Sequence, residues 1–242
     1  MKPFELFYLS LQGFLPPLHR KIRGRLLEMS NRMNRPPEIL DVGGRKSHYT
    51  IGLPARITLS DLPRETAVQE DLHLGINDHM IAETQARRSN IHRIVLDDMT
   101  ESKLPNDSFD CVVAVEVLEH VAEDARFVAQ VRRVLKPGGV FLMSTPNGDF
   151  VENHNVDHKR HYRRQQLHGL LASHFDEVKV VYAIQGGLFR TLGLRSWSPR
   201  RPVQTALSMV GNVVNSIQSA SAKLEEQSKG TRHLIAMARR LK

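Results

Sequence analysis

The stretch FDCVVAVEVLEHVAEDARFVAQVRRVLKPGGVFLMSTP, residues 109–146, decides the fold of this chain. It opens with a β-branched apolar run at 109–117 and closes with another at 139–146. Between these runs, apolar residues recur at helical spacing from Phe127 to Leu135, and Lys-Pro-Gly-Gly then ends the helix. A strand, a helix and a strand in this order predict a βαβ unit, and therefore a parallel sheet.

Five further apolar runs flank this unit. They lie at 38–43, 55–61, 92–98, 177–184 and 233–239. A second helical pattern, built on Leu167, Leu170, Leu171 and Phe175, precedes the run at 177–184. Because strands alternate with helices, we expect the α/β class, with a doubly wound, Rossmann-like sheet of seven strands.

Size and charge limit the function only broadly. The 242 residues suffice for one α/β domain with additions. Thirty-four Lys and Arg residues against 26 Asp and Glu give a net charge of +8, which favours anionic partners: nucleic acid, an acidic membrane or a phosphorylated metabolite. The single cysteine, Cys111, excludes an intramolecular disulfide and fits a reducing cytoplasm.

The chain divides into a core and additions. We expect an N-terminal helical extension at 1–35, a core at 36–197, an inserted amphipathic helix at 198–230 and a final core strand at 231–242. The N-terminal stretch FELFYLSLQGFL lacks a small-residue cleavage site, which argues against a signal peptide. No run approaches the roughly 20 apolar residues that span a bilayer.

Acidic residues and glycines stand where the predicted strands end. Asp41 is followed by Gly43 and Gly44, and Asp61 closes the next strand twenty residues after Asp41. Glycines after a first strand let the backbone approach a ligand, and an acidic residue at this distance accepts hydrogen bonds from ribose hydroxyls. Ligands of doubly wound sheets bind at these carboxyl ends, so the pattern predicts a nucleotide-like cofactor site.

Four motifs carry a family resemblance. They are ILDVGG, ITLSD, DDM with the later LPNDSFDCVVAVEVLEHV, and VLKPGGVFLMSTPN. In this order and spacing they resemble class I S-adenosylmethionine-dependent methyltransferases of the small-molecule branch (type 11) that includes the ubiquinone and menaquinone enzymes. The resemblance covers about residues 38–185, and HLIAMARR is similar to the seventh, antiparallel strand of that fold.

The resemblance implies S-adenosylmethionine as the cofactor and a role for each matching residue. Asp41, Gly43 and Gly44 would contact its methionine portion, and Asp61 its ribose. Asp98 and Met99 would contact the adenine. Glu116 and His120 would line the floor between the cofactor and the acceptor. Apart from the resemblance, Glu116 could equally cap the helix that begins nearby.

The glycine loop departs from the family pattern Asp-x-Gly-x-Gly, because Arg45 stands two places beyond Gly43. A residue with a Cβ costs roughly 1 kcal/mol or more at positive φ, so Arg45 does not replace a glycine there. Either the loop is shortened and Gly44 acts as the second glycine, or the site is lost. We favour the shortened, working loop.

A histidine-rich stretch, HNVDHKRHYRRQQL at 154–167, follows the fifth predicted strand. Its candidate residues are His154, Asp157, His158 and His161. It can be a polar loop, an acceptor-binding loop in which His158 is a general base, or a metal site. No zinc motif matches, so we assign no metal ligand. Lys159, Arg160, Arg163 and Arg164 could bind an anionic group of the acceptor.

Two amphipathic stretches lie outside the core. His19 to Arg35 is a cationic helix that could lie on an anionic membrane, although we favour packing on its own domain. Val203, Leu207, Val210, Val214, Ile217, Ser221 and Leu224 keep 4-3 spacing. This pattern could form a dimer seam or a lid, and here too we favour packing on the same protein.

We expect a cytoplasmic enzyme, with the inner membrane face as an alternative place, that methylates a small-molecule or glycan-like acceptor at oxygen. The sulfonium already activates the methyl group, so alignment of donor and acceptor is the main task. One alternative is RNA methylation, although the EVLEHV motif disfavours nucleic acid. Another is a non-catalytic scaffold or membrane-associated partner. A homodimer also stays open.

Overall fold

Seven strands form one sheet within residues 1–63 and 76–242, the part of the chain that this computed structural model describes. Their order is β3-β2-β1-β4-β5-β7-β6. In chain order, they are β1 Glu38–Val42, β2 Arg56–Asp61, β3 Ile91–Leu96, β4 Phe109–Val115, β5 Leu135–Pro146, β6 Glu177–Gln185 and β7 Thr231–Arg239. Among the strands of the described residues, β7 alone runs opposite to the other six, so the predicted doubly wound fold with an antiparallel last strand is confirmed.

Seven α-helices accompany the sheet in the described residues. They are α1 Pro3–Ser10, α2 Pro17–Asn31, α3 Asp78–Arg87, α4 Asp124–Val134, α5 Arg164–Ala172, α6 Leu188–Gly193 and α7 Pro202–Gln218. The two predicted core helices are α4 and α5, and their apolar faces are buried in one core cluster. Strand β5 begins directly after α4, at Leu135, so Lys-Pro-Gly-Gly lies within the strand's first residues.

The cationic N-terminal helix packs on the opposite face of the sheet. Leu18, Ile22 and Leu26 of α2 are buried among residues of β1, β2 and β4. The Arg23 guanidinium donates hydrogen bonds to the carbonyls of Tyr49 (3.1 Å) and Ile51 (2.7 Å), which holds α2 over the segment after β1. The expected packing of this helix on its own domain is confirmed.

Two connections differ from an ordinary βαβ crossover. After β1, a 3₁₀ turn at Gly44–Lys46 replaces a full helix, as the short distance to Pro54 predicts. The long link at 62–91 contains α3, whereas its residues 64–75 lie outside the described part of the chain. No helix among the described residues is long and apolar enough to cross a membrane.

The orientation of α7 contradicts the expected packing. Its buried residues are the small and polar Ser208, Gly211, Asn212 and Asn215. The seam residues Val203, Leu207, Val210 and Ile217 are exposed. The 4-3 repeat also ends at Gln218, because Leu224 belongs to a separate 3₁₀ turn.

Close packing explains this orientation. A Cβ atom at Gly211 would lie 2.8 Å from the Phe189 carbonyl oxygen, so α6 touches the backbone of α7. The Ser208 hydroxyl donates to the Gly193 carbonyl at 2.9 Å, and the Asn215 amide donates to the Gln185 carbonyl at 2.8 Å. These bonds require the polar stripe to face inward, which leaves the apolar stripe outside.

Candidate active site

The predicted cofactor residues lie along one edge of the sheet. Strands β3, β2, β1 and β4 are neighbours and parallel, so their carboxyl ends meet there. Gly43 directly follows β1, and Asp61 is the last residue of β2. Asp98 stands two residues beyond β3, and Glu116 directly follows β4. The edge therefore presents one exposed glycine and three carboxylates from four adjacent strands.

The glycine loop is held in place by backbone geometry. Gly43 is exposed and has a φ of 66°, and its N–H donates to the Ser60 carbonyl at 2.8 Å. A Cβ atom at Gly43 would lie 2.9 Å from a Val117 methyl group, and one at Gly44 would lie 2.6 Å from the Asp41 carboxyl carbon. Both glycines are required, the first for its conformation and the second for close approach.

Arg45 does not disturb this loop. It belongs to the 3₁₀ turn, and its φ is not positive. Among the described residues other than glycine, a positive φ occurs at Asp107, Glu116 and Ile184. Its guanidinium lies 4.0 Å from the sulfur of Met80. The strain argued from the sequence pattern therefore does not arise, and the geometry supports the shortened loop.

Asp41 stands behind the loop and is fully buried. Its carboxylate accepts hydrogen bonds from the hydroxyls of Ser47, Tyr49 (2.8 Å) and Thr50 (3.0 Å). Burial raises the pKa of Asp41 despite these bonds and the nearby charge of Arg88. The carboxylate thus fixes the loop from inside, and none of it is exposed at the sheet edge.

The two acidic positions expected to bind the nucleoside differ in exposure. Asp61 is half-buried, and its carboxylate accepts from the N–H of Leu62 at 2.9 Å. Asp98 is exposed and accepts from the N–H and hydroxyl of Thr100, both at 2.8 Å. The Met99 side chain is buried in the core, so its backbone is the part that could reach an adenine.

Glu116 has an unusual backbone conformation, with a φ of 57°, and does not cap a helix. The Ser144 hydroxyl donates to its carboxylate at 3.0 Å, and His233 Nε2 lies 3.4 Å from the other oxygen. Burial opposes ionisation of Glu116, but the attraction of His233 and the hydrogen bonds from His233 and Ser144 lower its pKa overall. The carboxylate is therefore held in its charged form.

Glu119 complements Glu116 as a second, neutral acid. It is fully buried, and neither of its carboxylate oxygens has a hydrogen-bond partner of ordinary geometry among the described residues. Burial, together with the negative charge of Glu116, raises the pKa of Glu119 well above its usual value. Two carboxyl groups three residues apart thus occupy opposite protonation states, as closely spaced acids often do.

The histidine-rich stretch returns to this edge through two of its histidines. His158 Nδ1 lies 2.8 Å from His161 Nε2, and His161 Nδ1 lies 2.9 Å from the Val151 carbonyl. A carbonyl only accepts, so His161 carries its proton on Nδ1, and His158 donates from its own Nδ1. The Nε2 atom of neutral His158 is then unprotonated and available as a base.

His120 completes this cluster. Its ring packs edge-on against His158, with centroids 4.6 Å apart, and its Nδ1 lies 3.2 Å from the Asp157 carbonyl. Burial lowers the pKa of His158, and the positive charges of protonated His120 and His161 would lower it further. The ring is accordingly neutral near pH 7 and suited to accept a proton.

Three side chains of this region could also bind a metal ion. No metal motif was recognised in the sequence, yet ligand atoms of Glu119, His120 and His158 lie within 4.8 Å of one another. His154 lies apart, highly exposed and 3.2 Å from Glu152. Two of the four expected anion-binding cations are engaged elsewhere, since Arg160 pairs with Asp124 and Arg164 with Glu226.

Sequence reasoning missed Ser144, His233 and Glu119. The motif EVLEHV contains Glu119, but its burial depends on the whole sheet. The antiparallel direction of the last strand could have placed its amino end, with His233, at the carboxyl edge of its parallel neighbours, but not in contact with Glu116. The register confirms this placement, since His233 pairs with Pro146 at the end of β5.

These residues fit S-adenosylmethionine as the fold would place it. The exposed backbone of Gly43 leaves room where the methionine portion would approach, and Asp61 ends the strand where a ribose would lie. Two buried polar atoms, His233 Nδ1 and Thr145 Oγ1, have no hydrogen-bond partner among the residues that the structure describes, and they lie in β7 and β5 beside Glu116 and its partner Ser144. Such atoms need a partner, and a polar ligand at this edge could supply one.

Known proteins show the same fold and motifs. Residues 51–143 match the family described as "Methyltransferase domain", type 11. A "Probable S-adenosylmethionine-dependent methyltransferase" of Mycolicibacterium smegmatis is 52% identical over 50 residues, which is 21% of this chain and 20% of that protein. The "Ubiquinone biosynthesis O-methyltransferase" of Serratia proteamaculans is 28% identical over 140 residues, 57% of this chain and 55% of that protein.

A solved structure extends the likeness over almost the whole chain. The S-adenosylmethionine-dependent methyltransferase of Archaeoglobus fulgidus superposes with a TM-score of 0.57 at 15% identity, covering 91% of this chain and 94% of that one. At this identity the likeness shows the fold. The curated relatives are matched over a smaller part, since the chain spans about a fifth of the first and about half of the second.

The sheet order and the strand-end carboxylates define a Rossmann-like fold of class I methyltransferase type. The family model then narrows the likeness: residues 51–143 are similar to the type 11 methyltransferase domain, and the similar proteins are named as S-adenosylmethionine-dependent methyltransferases. The resemblance seen in its motifs is confirmed.

Proposed function

We propose that this chain transfers the methyl group of S-adenosylmethionine to an oxygen of a small-molecule or glycan-like acceptor. The observation that carries the proposal is that one set of donor-binding residues and one set of proton-accepting histidines lie at the same edge of the sheet. Gly43, Asp61 and Asp98 provide a donor site on β1 to β3, and His120 and His158 provide proton acceptors beside Glu116, at the end of β4.

On the donor side, the sulfonium of the cofactor supplies an activated methyl group. The task of the protein's own residues is to bind this cofactor in position. The exposed Gly43 backbone admits the methionine portion, and the Asp61 carboxylate is placed to accept hydrogen bonds from two ribose hydroxyls. The negative charge of Glu116 stands near where the sulfonium would lie, and a cation is stabilised there.

On the acceptor side, a hydroxyl must lose its proton as it attacks. The unprotonated Nε2 of His158 is fixed by the His161 hydrogen bond and can take this proton. The lowered pKa of His158 keeps that nitrogen free near neutral pH. Positioning of donor and acceptor supplies most of the rate enhancement, and the base contributes a further 10²- to 10⁴-fold, roughly.

A second means of deprotonation uses the same residues. A divalent cation held by Glu119, His120 and His158 would lower the pKa of a bound hydroxyl. The two mechanisms differ in one observable. Chelation with EDTA leaves the rate unchanged if His158 acts as a base, and abolishes it if a cation is required.

The acceptor class is tested with deuterium-labelled S-adenosylmethionine. The protein is incubated with a deproteinised metabolite extract and, separately, with an RNA fraction, and products are read by mass spectrometry. A labelled small molecule formed by the wild type and lost in His158→Ala supports the proposal. Label in RNA alone would assign the second function class, and label in neither fraction, despite cofactor binding, would favour a scaffold.

A further inference from the structure

Helix α7 exposes an apolar stripe that the methyltransferase site does not use. The exposed fractions are 72% for Val203, 44% for Leu207, 57% for Val210 and 71% for Ile217. All 17 residues of this helix are uncharged, so no charged side chain of α7 favours contact between the stripe and water. An apolar face of this kind on a soluble surface marks a binding site.

Neighbouring elements extend the apolar surface. In and directly after α6, which packs against α7, Leu188 and Leu194 are 68% and 61% exposed. The 3₁₀ turn Gln12–Phe14 also contacts α7 and exposes the Phe14 ring. The surface therefore combines α6, α7 and the N-terminal turn, and we call it the α7 face.

The segment that contains α6 and α7 carries only positive charges. No Asp or Glu occurs between Glu177 and Glu225 in the sequence. Arg195, Arg200 and Arg201 are exposed in the segment that leads into α7. The chain's single tryptophan, Trp197, lies among them, half-buried, with its indole N–H donating to the Ser208 hydroxyl at 3.0 Å.

The charge pattern discriminates between two occupants. A second copy of this chain would bring an identical face, in which arginines would meet a segment without a carboxylate. An anionic bilayer supplies both an apolar layer for the valines and leucines and negative headgroups for the arginines. Tryptophan also favours the boundary between the two layers.

We propose that the α7 face binds the surface of an anionic membrane, with α7 lying in the interfacial plane. The inward polar stripe is then the structural reason that the apolar stripe is outside, since Ser208 and Asn215 tie the helix to the protein by its other side. The proposal concerns location and does not depend on methyl transfer.

Vesicle flotation tests it with the full chain. One set of vesicles contains phosphatidylcholine alone, and the other contains phosphatidylglycerol and phosphatidylcholine in equal parts. We expect the wild type to float with the anionic set only. Because Trp197 is the only tryptophan, its emission should shift to the blue on the same vesicles and on no others.

Two double variants separately alter the apolar part and the charged part of the α7 face. Leu207→Gln with Val210→Gln removes apolar area from exposed positions, and Arg200→Glu with Arg201→Glu reverses the charge. Each should weaken partition to anionic vesicles at least tenfold, while circular dichroism and the melting temperature stay near wild type. Leu241→Gln, at another exposed leucine (48%), is the matched control and should bind normally.

Three outcomes would overturn the proposal. They are a wild type that floats with neither set, a wild type that floats equally with both, and variants that bind as the wild type does. A dimer in sedimentation analysis that Leu207→Gln with Val210→Gln dissociates, without vesicle binding, would assign the α7 face to a second copy. Calorimetry with S-adenosylmethionine on the same samples tests the donor site separately.

Discussion

His233 Nε2 lies 3.4 Å from Glu116 Oε2, so the antiparallel strand β7 contributes a side-chain partner to the carboxylate at the end of β4. This pair lies at the carboxyl edge of the sheet, where the proposed donor and acceptor sites meet. Burial raises the pKa of Glu116. His233 contributes to the opposite effect, which lowers this pKa overall. The charge state of the proposed site therefore depends on a residue far away in the sequence.

Removing His233 should make the site sensitive to acid. In His233→Gln the Glu116 carboxyl loses its main stabilising charge, so its pKa rises and the carboxylate is protonated at a higher pH. We expect the acidic limb of cofactor affinity, measured by calorimetry across pH, to move upward. Ser144→Ala should move it in the same direction by less, whereas an unchanged limb in both variants would rule out this role for Glu116.

Replacing Asp41 should destabilise the fold more than it affects ligand contacts directly. Asp41→Ala removes the carboxylate that accepts from the buried hydroxyls of Ser47, Tyr49 and Thr50, at a cost of about 2–4 kcal/mol in the free energy of unfolding. Urea denaturation measures this. Ser47→Ala removes the hydroxyl that bonds to Asp41 and to the Gly44 carbonyl but leaves the bonds from Tyr49 and Thr50 to Asp41, so it should cost less, about 1–2 kcal/mol. Equal stability of Asp41→Ala and wild type would contradict the observed network.

The two sides of the glycine loop should respond differently to substitution. Gly43→Ala places a Cβ at a φ of 66° and 2.9 Å from Val117, which costs about 1–2 kcal/mol. We expect cofactor affinity to fall at least fivefold. Arg45→Gly, in contrast, should change affinity less than twofold, because Arg45 occupies ordinary backbone space. Improved binding by Arg45→Gly would show that the arginine obstructs the loop.

His19 should contribute to loss of stability in acid. Its buried Nδ1 has no hydrogen-bond partner within the described part of the chain, and its ring lies 5.6 Å from that of His48. Burial, with a smaller effect from His48, lowers its pKa from the usual 6.5 to about 4. Between these two values the unfolded chain binds a proton that the folded chain does not, so stability falls as pH drops through this window.

Thermal melts at several pH values check this prediction. His19→Gln cannot titrate, and its melting temperature should depend less steeply on pH between 6.5 and 4 than that of the wild type. His92→Gln, at an exposed histidine, is the control and should keep the wild-type slope. A slope unchanged in His19→Gln would mean that another group causes the acid sensitivity.

The sequence predicted the sheet well, because each strand is a short apolar run and each core helix has a single apolar stripe. The burial of Ile22 and Leu26 followed from the same logic. The side on which α7 packs could not be predicted, because 4-3 spacing identifies an apolar stripe but not the surface that this stripe contacts. Contacts of Ser208 and Asn215 with distant backbone decide that orientation.

Site residues show the same division. Positions at strand ends, such as Asp61 and Glu116, were predictable from topology. The burial of Asp41 was not, because it depends on how three hydroxyls fold back after β1. His233 also escaped prediction, since its contact with Glu116 requires the register between β5 and β7.

The donor site is the central claim, and calorimetric titration with S-adenosylmethionine tests it most directly. We expect micromolar binding by the wild type and at least tenfold weaker binding by Asp61→Ala, which loses charge-assisted hydrogen bonds to the ribose, each worth about 1.5–3 kcal/mol. Glu83→Ala, at an exposed carboxylate of α3, should bind as the wild type does. Absence of heat and of any thermal shift at millimolar cofactor would contradict the account.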